Sequence, residues 1–231
     1  LKLPNKLQYL IPRIYQYSTS RENPYIEMEC YGYSTLHELF LYGQLPLYRW
    51  QSIFEHLKFI LTDMERYTVV GSEDIQNAMR DIYVKKTITR LESMRKKAHF
   101  AHFFTEDIII NGIQYHSLEY YMEILPKIIE EKLLGVENKF AIIHGDLCFS
   151  NILIEEIHGF MRVIDPRGEF GTYDIYGDTR YEMAKLLHSI EGKYDFIIED
   201  MFKVEVNNNE ILYSMQKKTD KILSVFKDVF K

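Results

Sequence analysis

The sequence predicts an α+β fold that is rich in helices and contains short β-hairpins. Long stretches carry apolar residues at helical spacing, short apolar or alternating runs end at turn residues, and strands and helices do not alternate regularly along the chain. Of the 231 residues, 46% are hydrophobic and 14% are aromatic, which is enough to build a sizeable core. This composition excludes disordered, collagen-like and low-complexity chains.

The first half of the chain predicts one strand followed by three helices. Alternation of apolar and polar residues indicates the strand, and apolar residues three and four apart indicate the helices. Hydroxyl side chains at helix starts and glycine at helix ends set the expected limits. The predicted elements are a strand over 24–31, a helix from the cap Ser34 or Thr35 to Gly43, a helix over 46–67 and a helix from the cap Ser72 to Met94.

The second half predicts two hairpins and three further helices. An Asn-Gly pair between apolar runs favours a type I′ turn, and a proline inside a helical pattern predicts a kink or a break. The first elements are a hairpin over 108–115, a helix from the cap Ser117 to Gly135 with Pro126 inside it, and a strand over 140–143. The later elements are a hairpin with strands over 152–154 and 161–164, a helix over 178–190, a partly extended segment over 194–206 and, after 207–209, a last helix through Leu212 to Phe230.

Charge and cysteine content restrict the class of ligand and the compartment. The formal net charge is -6, whereas binding to a nucleic-acid backbone needs clustered lysine and arginine. No apolar run approaches the roughly 20 residues of a membrane span. Two cysteines, Cys30 and Cys148, are too few for a disulfide framework and suit a reducing compartment. We therefore expect a cytoplasmic protein with a small ligand, without a nucleic-acid or membrane partner.

The residues with the clearest chemistry lie between positions 142 and 168. An apolar strand leads into His144 and Asp146, Asn151 follows five residues later, and Asp165 ends the second strand of the next hairpin. Oxygen-bearing side chains at the ends of short buried strands are rigidly supported and share one opening. Mg²⁺ prefers carboxylate and amide oxygens and leaves room for phosphate oxygens. Asn151 and Asp165 fit a metal site, and Asp146 can accept a proton from an attacking hydroxyl.

This arrangement matches the parts used in protein-kinase-type phosphoryl transfer. Because Gly145 stands where kinases usually have arginine, the His-Gly-Asp motif resembles the aminoglycoside phosphotransferase and choline kinase-like family. The resemblance covers about residues 20–195. Positions 25–39 are similar to the last N-lobe strand, the hinge and the first C-lobe helix, and positions 177–185 are similar to the segment after the metal-binding aspartate. The resemblance implies a protein-kinase-like fold and an ATP- and Mg²⁺-dependent phosphotransferase acting on a small-molecule hydroxyl.

The resemblance also implies roles for single residues. Asp146 corresponds to the catalytic base, and Asn151 and Asp165 correspond to the Mg²⁺ ligands. His144 is expected to be a buried brace beside the metal-binding aspartate rather than a proton shuttle. Asp178 matches the aspartate that braces the catalytic loop, and its alternative role is a plain helix N-cap.

The segment after Asp165 departs from the family pattern. It reads Asp-Pro-Arg-Gly instead of the tryptophan- or phenylalanine-containing forms of relatives. Arg167 is expected either to bind a transferred or substrate phosphate through its planar guanidinium or to form a salt bridge with Glu169 or Asp174. Glu182 stands where relatives often have aspartate.

The N-terminal part departs further. Family members pair adenine with the hinge, which corresponds to the backbone of Glu29, Cys30 and Tyr31. Kinase-type enzymes also cover the phosphates with a glycine-rich loop, but the first glycine of this chain is Gly32. Together with the start at Leu1, this predicts a fragment that lacks most of the N-lobe and that binds nucleotide weakly by itself.

The resemblance divides the chain at the hinge. Residues 1–33 are expected to be a remnant of the N-lobe with the hinge. Residues 34–231 are expected to form the C-lobe, with a catalytic loop over 144–151 and a metal segment over 165–168. The missing N-lobe, or a nucleotidyltransferase module, is a possible partner in the full-length product.

The acceptor and two other functions remain open at this stage. Acidic and aromatic residues follow Asp165, and they suit a cationic or sugar acceptor or, alternatively, ordinary packing and solvation. They are Glu169, Phe170, Tyr173, Asp174, Tyr176 and Asp178. The Asp-Pro-Arg-Gly form resembles phosphotransferase-family proteins of bacterial surface-polysaccharide loci, which favours a sugar or amino alcohol. The other functions are a non-catalytic kinase-like binding or regulatory module and a metal-dependent phosphoester hydrolase.

Overall fold

The computed structural model describes residues 3–69, 73–136, 139–215 and 219–231. Helices and short strands occur throughout, so the predicted α+β class is confirmed. The predicted cap Ser72 lies outside the described residues. Within the described ranges, no helix has both the length and the apolar character needed to cross a membrane.

The N-terminal segment is a small hairpin attached to the main body. A 3-10 helix, Asn5–Leu10, comes first, and its Leu7 and Leu10 are buried in the core. Strands β1 (Ile14–Ser18) and β2 (Tyr25–Met28) then pair with each other in a separate antiparallel sheet. The strand predicted over 24–31 is therefore confirmed in its central part. The hairpin residues are mostly exposed, so the 3-10 helix supplies the anchorage.

The next elements are β3 (Ser34–Thr35), α1 (Leu36–Leu41) and α2 (Leu47–Met64). Thr35 begins α1 with a capping box, since its hydroxyl accepts the Glu38 N–H at 3.1 Å and the Glu38 carboxylate accepts the Thr35 N–H at 2.8 Å. Thr35 rather than Ser34 is thus the cap. Helix α2 confirms the long amphipathic helix and buries its apolar face.

The middle of the chain, between β4 (Thr68–Val69) and the strand over 140–142, is mostly helical, and we call it the insertion. After β4, the predicted helix appears as α3 (Glu73–Met79), a π-helical segment (Arg80–Lys85) and α4 (Lys86–Arg95) in direct succession. We refer to these three segments together as the insertion helix. The insertion continues with α5 (His102–Thr105), β5 (Ile108–Ile110), β6 (Ile113–Tyr115), α6 (Leu118–Ile129) and a π-helical segment (Glu130–Leu134).

The local signals in this insertion act as predicted, with one exception. Asn111 and Gly112 have φ angles of 49° and 79°, which a type I′ turn requires, and they join β5 to β6. Ser117 caps α6 by accepting the Tyr120 N–H at 3.3 Å. The exception concerns Pro126, where a kink or a break was expected. The break does not occur, because α6 continues through this residue to Ile129.

Two small sheets support the segment with the predicted chemistry. Strands β7 (Phe140–Ile142), β8 (Ile152–Ile154), β9 (Met161–Val163) and β10 (Tyr176–Gly177) precede helix α7 (Thr179–Ile190). Strand β7 lies between β10 and β4, and β8 lies between β3 and β9. The loop from β7 to β8 therefore starts in one sheet and ends in the other, which fixes both of its ends.

The C-terminal prediction is confirmed in one part and wrong in another. The segment expected to be partly extended over 194–206 begins with the short helix α8 (Tyr194–Ile198) and becomes a strand at Phe202. The last helix does not begin near Asn207, because β11 (Phe202–Asn207) and β12 (Glu210–Met215) form a hairpin, and only α9 (Asp220–Val229) is helical. Asn208 has a φ of 56° and supplies the turn. Strand β12 also pairs in parallel with β5, a long-range contact that local periodicity does not reveal.

The core is organised around the ring of Phe40 on α1. This ring makes edge contacts with Trp50 of α2, Phe149 of the β7–β8 loop and Phe196 of α8, with centroid distances of 5.9, 5.2 and 5.3 Å. Edge-to-face aromatic pairs stabilise a core beyond the area they bury. Because Phe149 belongs to the loop between β7 and β8, this aromatic packing also fixes the position of that loop.

We expect Phe40→Ala to lower the free energy of unfolding by about 3–5 kcal/mol, because it removes a fully buried ring and leaves a cavity. Urea unfolding followed by circular dichroism measures this. Phe59→Ala is the matched control, since Phe59 is 57% exposed on α2, and its effect should be within about 0.5 kcal/mol. Equal effects of the two substitutions would contradict the packing described here.

Candidate active site

The loop that follows β7 is held by a buried carboxylate on α7. Glu182, which is 1% exposed, accepts the N–H of His144 at 3.2 Å and the N–H of Gly145 at 2.8 Å, one with each carboxylate oxygen. Burial raises the pKa of Glu182 to about 7, although the two backbone N–H groups act in the opposite direction. The side chain of Glu182 thus sets the position of the residues immediately before Asp146.

Asp178 does not have the bracing role predicted for it. Its carboxylate accepts the Arg180 N–H at 3.0 Å and caps α7, and it also pairs with the Arg180 guanidinium at 2.8 Å. The hydroxyl of Tyr83 on the insertion helix donates to it at 2.9 Å. The brace lies four residues later, at Glu182, so the N-cap alternative for Asp178 is the one observed.

His144 connects the loop to the strand that leads to Asp165. Its Nδ1 accepts the Asp146 N–H at 3.3 Å, so Nε2 carries the hydrogen and donates to the Ile164 carbonyl at 2.9 Å. Burial is the main influence on its pKa and lowers it. A neutral ring with both nitrogens bonded to the backbone is a brace, as predicted.

Asp165 is held in an uncommon backbone conformation. Its φ is 56°, in the left-handed region that non-glycine residues rarely adopt. The Ile164 N–H donates to the Asn151 carbonyl at 3.0 Å, and the Arg167 N–H donates to the His144 carbonyl at 2.9 Å. These bonds on both sides of Asp165 stabilise the strained residue, a pattern typical of functional sites.

The structure connects Asn151 to the loop that carries Asp146 and to the strand that leads to Asp165. Its side-chain nitrogen donates to the Asp146 carbonyl at 2.9 Å, and its backbone carbonyl binds the residue before Asp165. Because the amide nitrogen is engaged with the loop, the amide oxygen points away from that bond and is oriented for another partner. Asp146, Asn151 and Asp165 therefore lie together, as their spacing in the sequence predicted.

The donor set suits a hard cation shared with phosphate. The Asp165 carboxylate and the Asn151 amide supply oxygen ligands, which Mg²⁺ prefers, and Mg²⁺ commonly takes its other ligands from phosphates and water. In the described ranges, no group of three or more His, Cys, Asp or Glu side chains could hold a metal. The residues present therefore fit a metal bound jointly with a phosphate and not a closed protein cage.

Lys185 lies beside Asp146, and sequence reasoning missed it. Its ammonium nitrogen is 2.5 Å from Asp146 Oδ1, a buried oxygen that accepts no other hydrogen bond from the described residues. Burial lowers the pKa of Lys185, but the hydrogen bond and charge of Asp146 outweigh it and raise the pKa overall. The available signal was spacing, since Lys185 follows Glu182 by three residues on the same helix face.

Arg167 lies across the loop next to Asp146. A Cβ atom on Gly145 would come within 2.9 Å of the Arg167 Cβ, so this position requires glycine. The guanidinium donates to the Tyr181 hydroxyl at 2.9 Å, and its Cζ lies 5.9 Å from the Tyr181 ring centroid. The predicted salt bridge to Glu169 or Asp174 is not formed among the described residues, which leaves the guanidinium near the candidate site.

The acidic and aromatic cluster after Asp165 mainly serves packing. Phe170 is fully buried, and the Tyr173 ring lies 4.9 Å from the ring of Phe140. Asp178 is engaged in capping α7. Tyr173 and Tyr176 are half-buried, whereas Glu169 and Asp174 are exposed, so the cluster matches the alternative of ordinary packing and solvation.

An apolar cleft of about 500 Å³ opens beside Asp165. Ile26 and Met28 of the N-terminal hairpin form one wall, and Ile164 lies on the other side. Ligand pockets commonly have this size and apolar character.

The predicted hinge residues do not line this cleft. Glu29 donates its N–H to the Arg13 carbonyl at 2.8 Å and accepts the Tyr31 hydroxyl at 2.6 Å. The Tyr31 ring lies under Arg162, with the guanidinium carbon 5.2 Å from the ring centroid, and Cys30 is exposed. Glu29, Cys30 and Tyr31 are therefore not part of the lining of this cleft, and their expected backbone contact with adenine stays a prediction.

Comparison with known proteins found no match to a protein-family model and no match to a curated protein. The interpretation of the site rests on its geometry.

We expect the contribution of Glu182 to stability to depend on pH. Its folded pKa of about 7 exceeds the ordinary 4.5, so between these pH values the folded protein retains a proton that the unfolded chain releases. The free energy of unfolding therefore falls as pH rises through this range. Relative to Glu182→Gln, which cannot titrate, the wild type should lose on the order of 2 kcal/mol between pH 5 and 8.

Chemical denaturation of both proteins across this pH range measures the difference. Glu191→Gln is the control, because Glu191 is exposed at the end of the same helix and, among the residues that the structure describes, forms an ion pair with Lys227 alone. The difference between wild type and Glu191→Gln should stay nearly flat. If the difference between wild type and Glu182→Gln also stays flat with pH, Glu182 is not the buried carboxyl described above.

Proposed function

We propose that this chain provides the catalytic lobe of an ATP-dependent phosphotransferase that phosphorylates a hydroxyl group of a small molecule. One observation carries the proposal: Asp146, Asn151 and Asp165 lie together, braced by Glu182 and His144. The same residue types in the same order serve kinase-type phosphoryl transfer. A protein-kinase-like fold belongs to this proposal.

Asp146 is the residue that receives the acceptor. Its carboxylate accepts a hydrogen bond from the acceptor hydroxyl and takes the proton as the hydroxyl oxygen bonds to the γ-phosphorus of ATP. The bond from that phosphorus to the β,γ-bridging oxygen breaks, and ADP leaves with the electron pair. The products are ADP, the phosphorylated acceptor and the proton, which Asp146 passes to water.

Asn151 and Asp165 would hold Mg²⁺ through their side-chain oxygens. When bound, the ion would neutralise part of the negative charge of the phosphates. The backbone bonds around Asp165 and Asn151 keep these oxygens in place before the phosphates arrive, and such preorganisation lowers the cost of stabilising the transition state.

Lys185 adds a fixed positive charge next to Asp146. Its ammonium lies 2.5 Å from the carboxylate that would face the transferred group, and Glu182 on the same helix binds the loop before Asp146. Preorganised cations of this kind stabilise phosphoryl transfer.

The apolar cleft beside Asp165 supports a nucleotide as the phosphate donor. Its volume of about 500 Å³ and the side chains of Ile26, Met28 and Ile164 suit a planar base, with the phosphates directed towards Asp165.

A non-catalytic kinase-like module is the second candidate. The observation that favours it is the ion pair between Lys185 and Asp146, which engages an oxygen of the carboxylate that would have to accept the proton. The complete set of Asp146, Asn151 and Asp165 favours the enzyme.

We expect Asp146→Asn and Asp165→Asn each to lower MgATP-dependent phosphorylation of small hydroxyl compounds by about 100-fold or more, because they remove the proton acceptor and a metal ligand. The assay uses the full-length gene product, ATP labelled at the γ-phosphate and a panel of sugars, amino alcohols and their phosphates. Asp228→Asn, an exposed substitution on α9, is the control and should retain full activity.

Unchanged transfer in both site variants would refute the assignment of these residues. No transfer by the wild type, with no Mg²⁺-dependent nucleotide binding, would favour the non-catalytic module. Release of phosphate from phosphoesters without ATP would indicate a hydrolase.

A further inference from the structure

Two basic side chains, Lys185 and Arg167, lie next to Asp146 and its neighbour Gly145, and a second basic pair lies on the insertion helix, although the protein has a net charge of -6. Lys185 lies 2.5 Å from the Asp146 carboxylate, and Arg167 packs on the neighbouring glycine. Lys86 and Arg90 belong to α4 of the insertion helix. Such a local concentration of positive charge runs against the overall charge of the chain and marks a site for an anion.

Contacts of Tyr83 with Asp178 and Tyr181 hold the insertion helix against α7, which carries Lys185. The Tyr83 hydroxyl is 2.9 Å from Asp178 Oδ2, and its ring centroid is 6.1 Å from that of Tyr181, the same tyrosine that accepts a hydrogen bond from Arg167. Lys86 begins α4 three residues after Tyr83, and Arg90 follows Lys86 by four residues, so Lys86 and Arg90 lie on the same face of α4.

The titration of Lys86 agrees with this placement. Burial lowers its pKa, and the charges of Arg167, Arg90 and Lys185 lower it further, while Asp146 acts in the opposite direction. Lys86 is therefore within electrostatic range of both the basic group and the proposed catalytic base.

The two basic residues that face the site differ from the others on the insertion helix. Arg80 pairs with Glu130 at 2.9 Å, Lys85 pairs with Asp81 at 3.4 Å, and Arg95 pairs with Glu119 at 2.9 Å. The side chains of Lys86 and Arg90 form no ion pair with any described residue. Like charges that approach one another are unfavourable. Asp146 offsets this repulsion only in part, because it already pairs with Lys185, and a bound anion reduces the remaining cost.

The basic group does not belong to the cleft assigned to the nucleotide. None of the four residues lines the apolar cleft, whose walls come from the N-terminal hairpin and from residues around Asp165. They lie instead on the side of Asp146 that the insertion helix and α7 cover. This is where the acceptor must bind if the nucleotide occupies the cleft.

We propose that the acceptor is itself a phosphate-bearing small molecule, whose phosphate group is bound by Lys86, Arg90 and Arg167 while its hydroxyl contacts Asp146. The inference rests on the proposed phosphotransferase function. Guanidinium groups bind phosphate through paired hydrogen bonds, and lysine adds a point charge. The existing phosphate is unchanged in the reaction: a new bond forms from the hydroxyl oxygen to the γ-phosphorus of ATP, ADP leaves, and Asp146 takes the proton.

Binding without nucleotide tests the anion site independently of catalysis. Calorimetry measures the affinity of the full-length protein for inorganic phosphate, glucose 6-phosphate, glucose and choline. We expect the two phosphates to bind and the other two compounds not to. The double variant Lys86→Ala/Arg90→Ala should bind phosphate about tenfold or more weakly, because charge-assisted hydrogen bonds are lost.

Lys85→Ala is the control, since it removes one positive charge at the position next to Lys86, where the side chain pairs with Asp81. This variant should bind phosphate like the wild type. Lys86→Gln/Arg90→Gln, which keeps more of each side chain, serves as a second variant, and thermal melting verifies that each variant folds. Equal phosphate binding by wild type and both double variants would overturn the proposal. Tighter binding of choline than of either phosphate would also overturn it.

Kinetics distinguish the acceptor site from the donor site. In the transfer assay, both double variants should raise the KM for a phosphate-bearing acceptor about tenfold and leave the KM for MgATP within about twofold. The opposite split would mean that these residues bind donor phosphates, which overturns the inference but not the proposed function. Phosphate binding as expected, together with no MgATP-dependent transfer, would refute the proposed function and leave the anion site intact.

Discussion

Glu182 is a carboxylate inside the protein, and its two oxygens accept the N–H groups of His144 and Gly145. Burial of a carboxylate is unfavourable, which is why the pKa of Glu182 rises to about 7. The two hydrogen bonds compensate part of that cost and fix the start of the loop. Asp146 directly follows the two residues that Glu182 binds, and Lys185 lies on the same helix as Glu182. The positions of both side chains therefore depend on this arrangement.

The second constraint is the set of backbone bonds around Asp165. His144 and Asn151 bind the residues on both sides of it, so the chain holds Asp165 at a positive φ that it would otherwise avoid. Strain of this kind persists only where the surroundings impose it. The result is that the backbone at Asn151 and Asp165 is held against the loop that carries Asp146.

Local features of the fold were predictable, and features that depend on packing were not. The Thr35 capping box and the Asn111-Gly112 turn form from residues close in sequence, so their signals survive in the structure. The last helix was mistaken for a longer one, because Leu212 and Met215 match a helical period as well as a strand. The pairing of β12 with β5, about 100 residues away, decides in favour of the strand.

The site shows the same division. The spacing of Asp146, Asn151 and Asp165 was visible in the sequence, since each lies at the end of a short strand. Which acidic residue of α7 faces the loop was not visible, because Asp178 and Glu182 are one helical turn apart and only the packing of the helix decides. The basic residues of the insertion helix were missed because about 60 residues separate them from Asp146.

A crystal structure of the full-length protein with Mg²⁺ and a non-hydrolysable ATP analogue tests the central claim most directly. The account predicts an ion at about 2.1 Å from oxygens of Asp165 and Asn151, the base in the apolar cleft and the γ-phosphate facing Asp146. A nucleotide bound elsewhere, or an ion that contacts neither Asp165 nor Asn151, would contradict it.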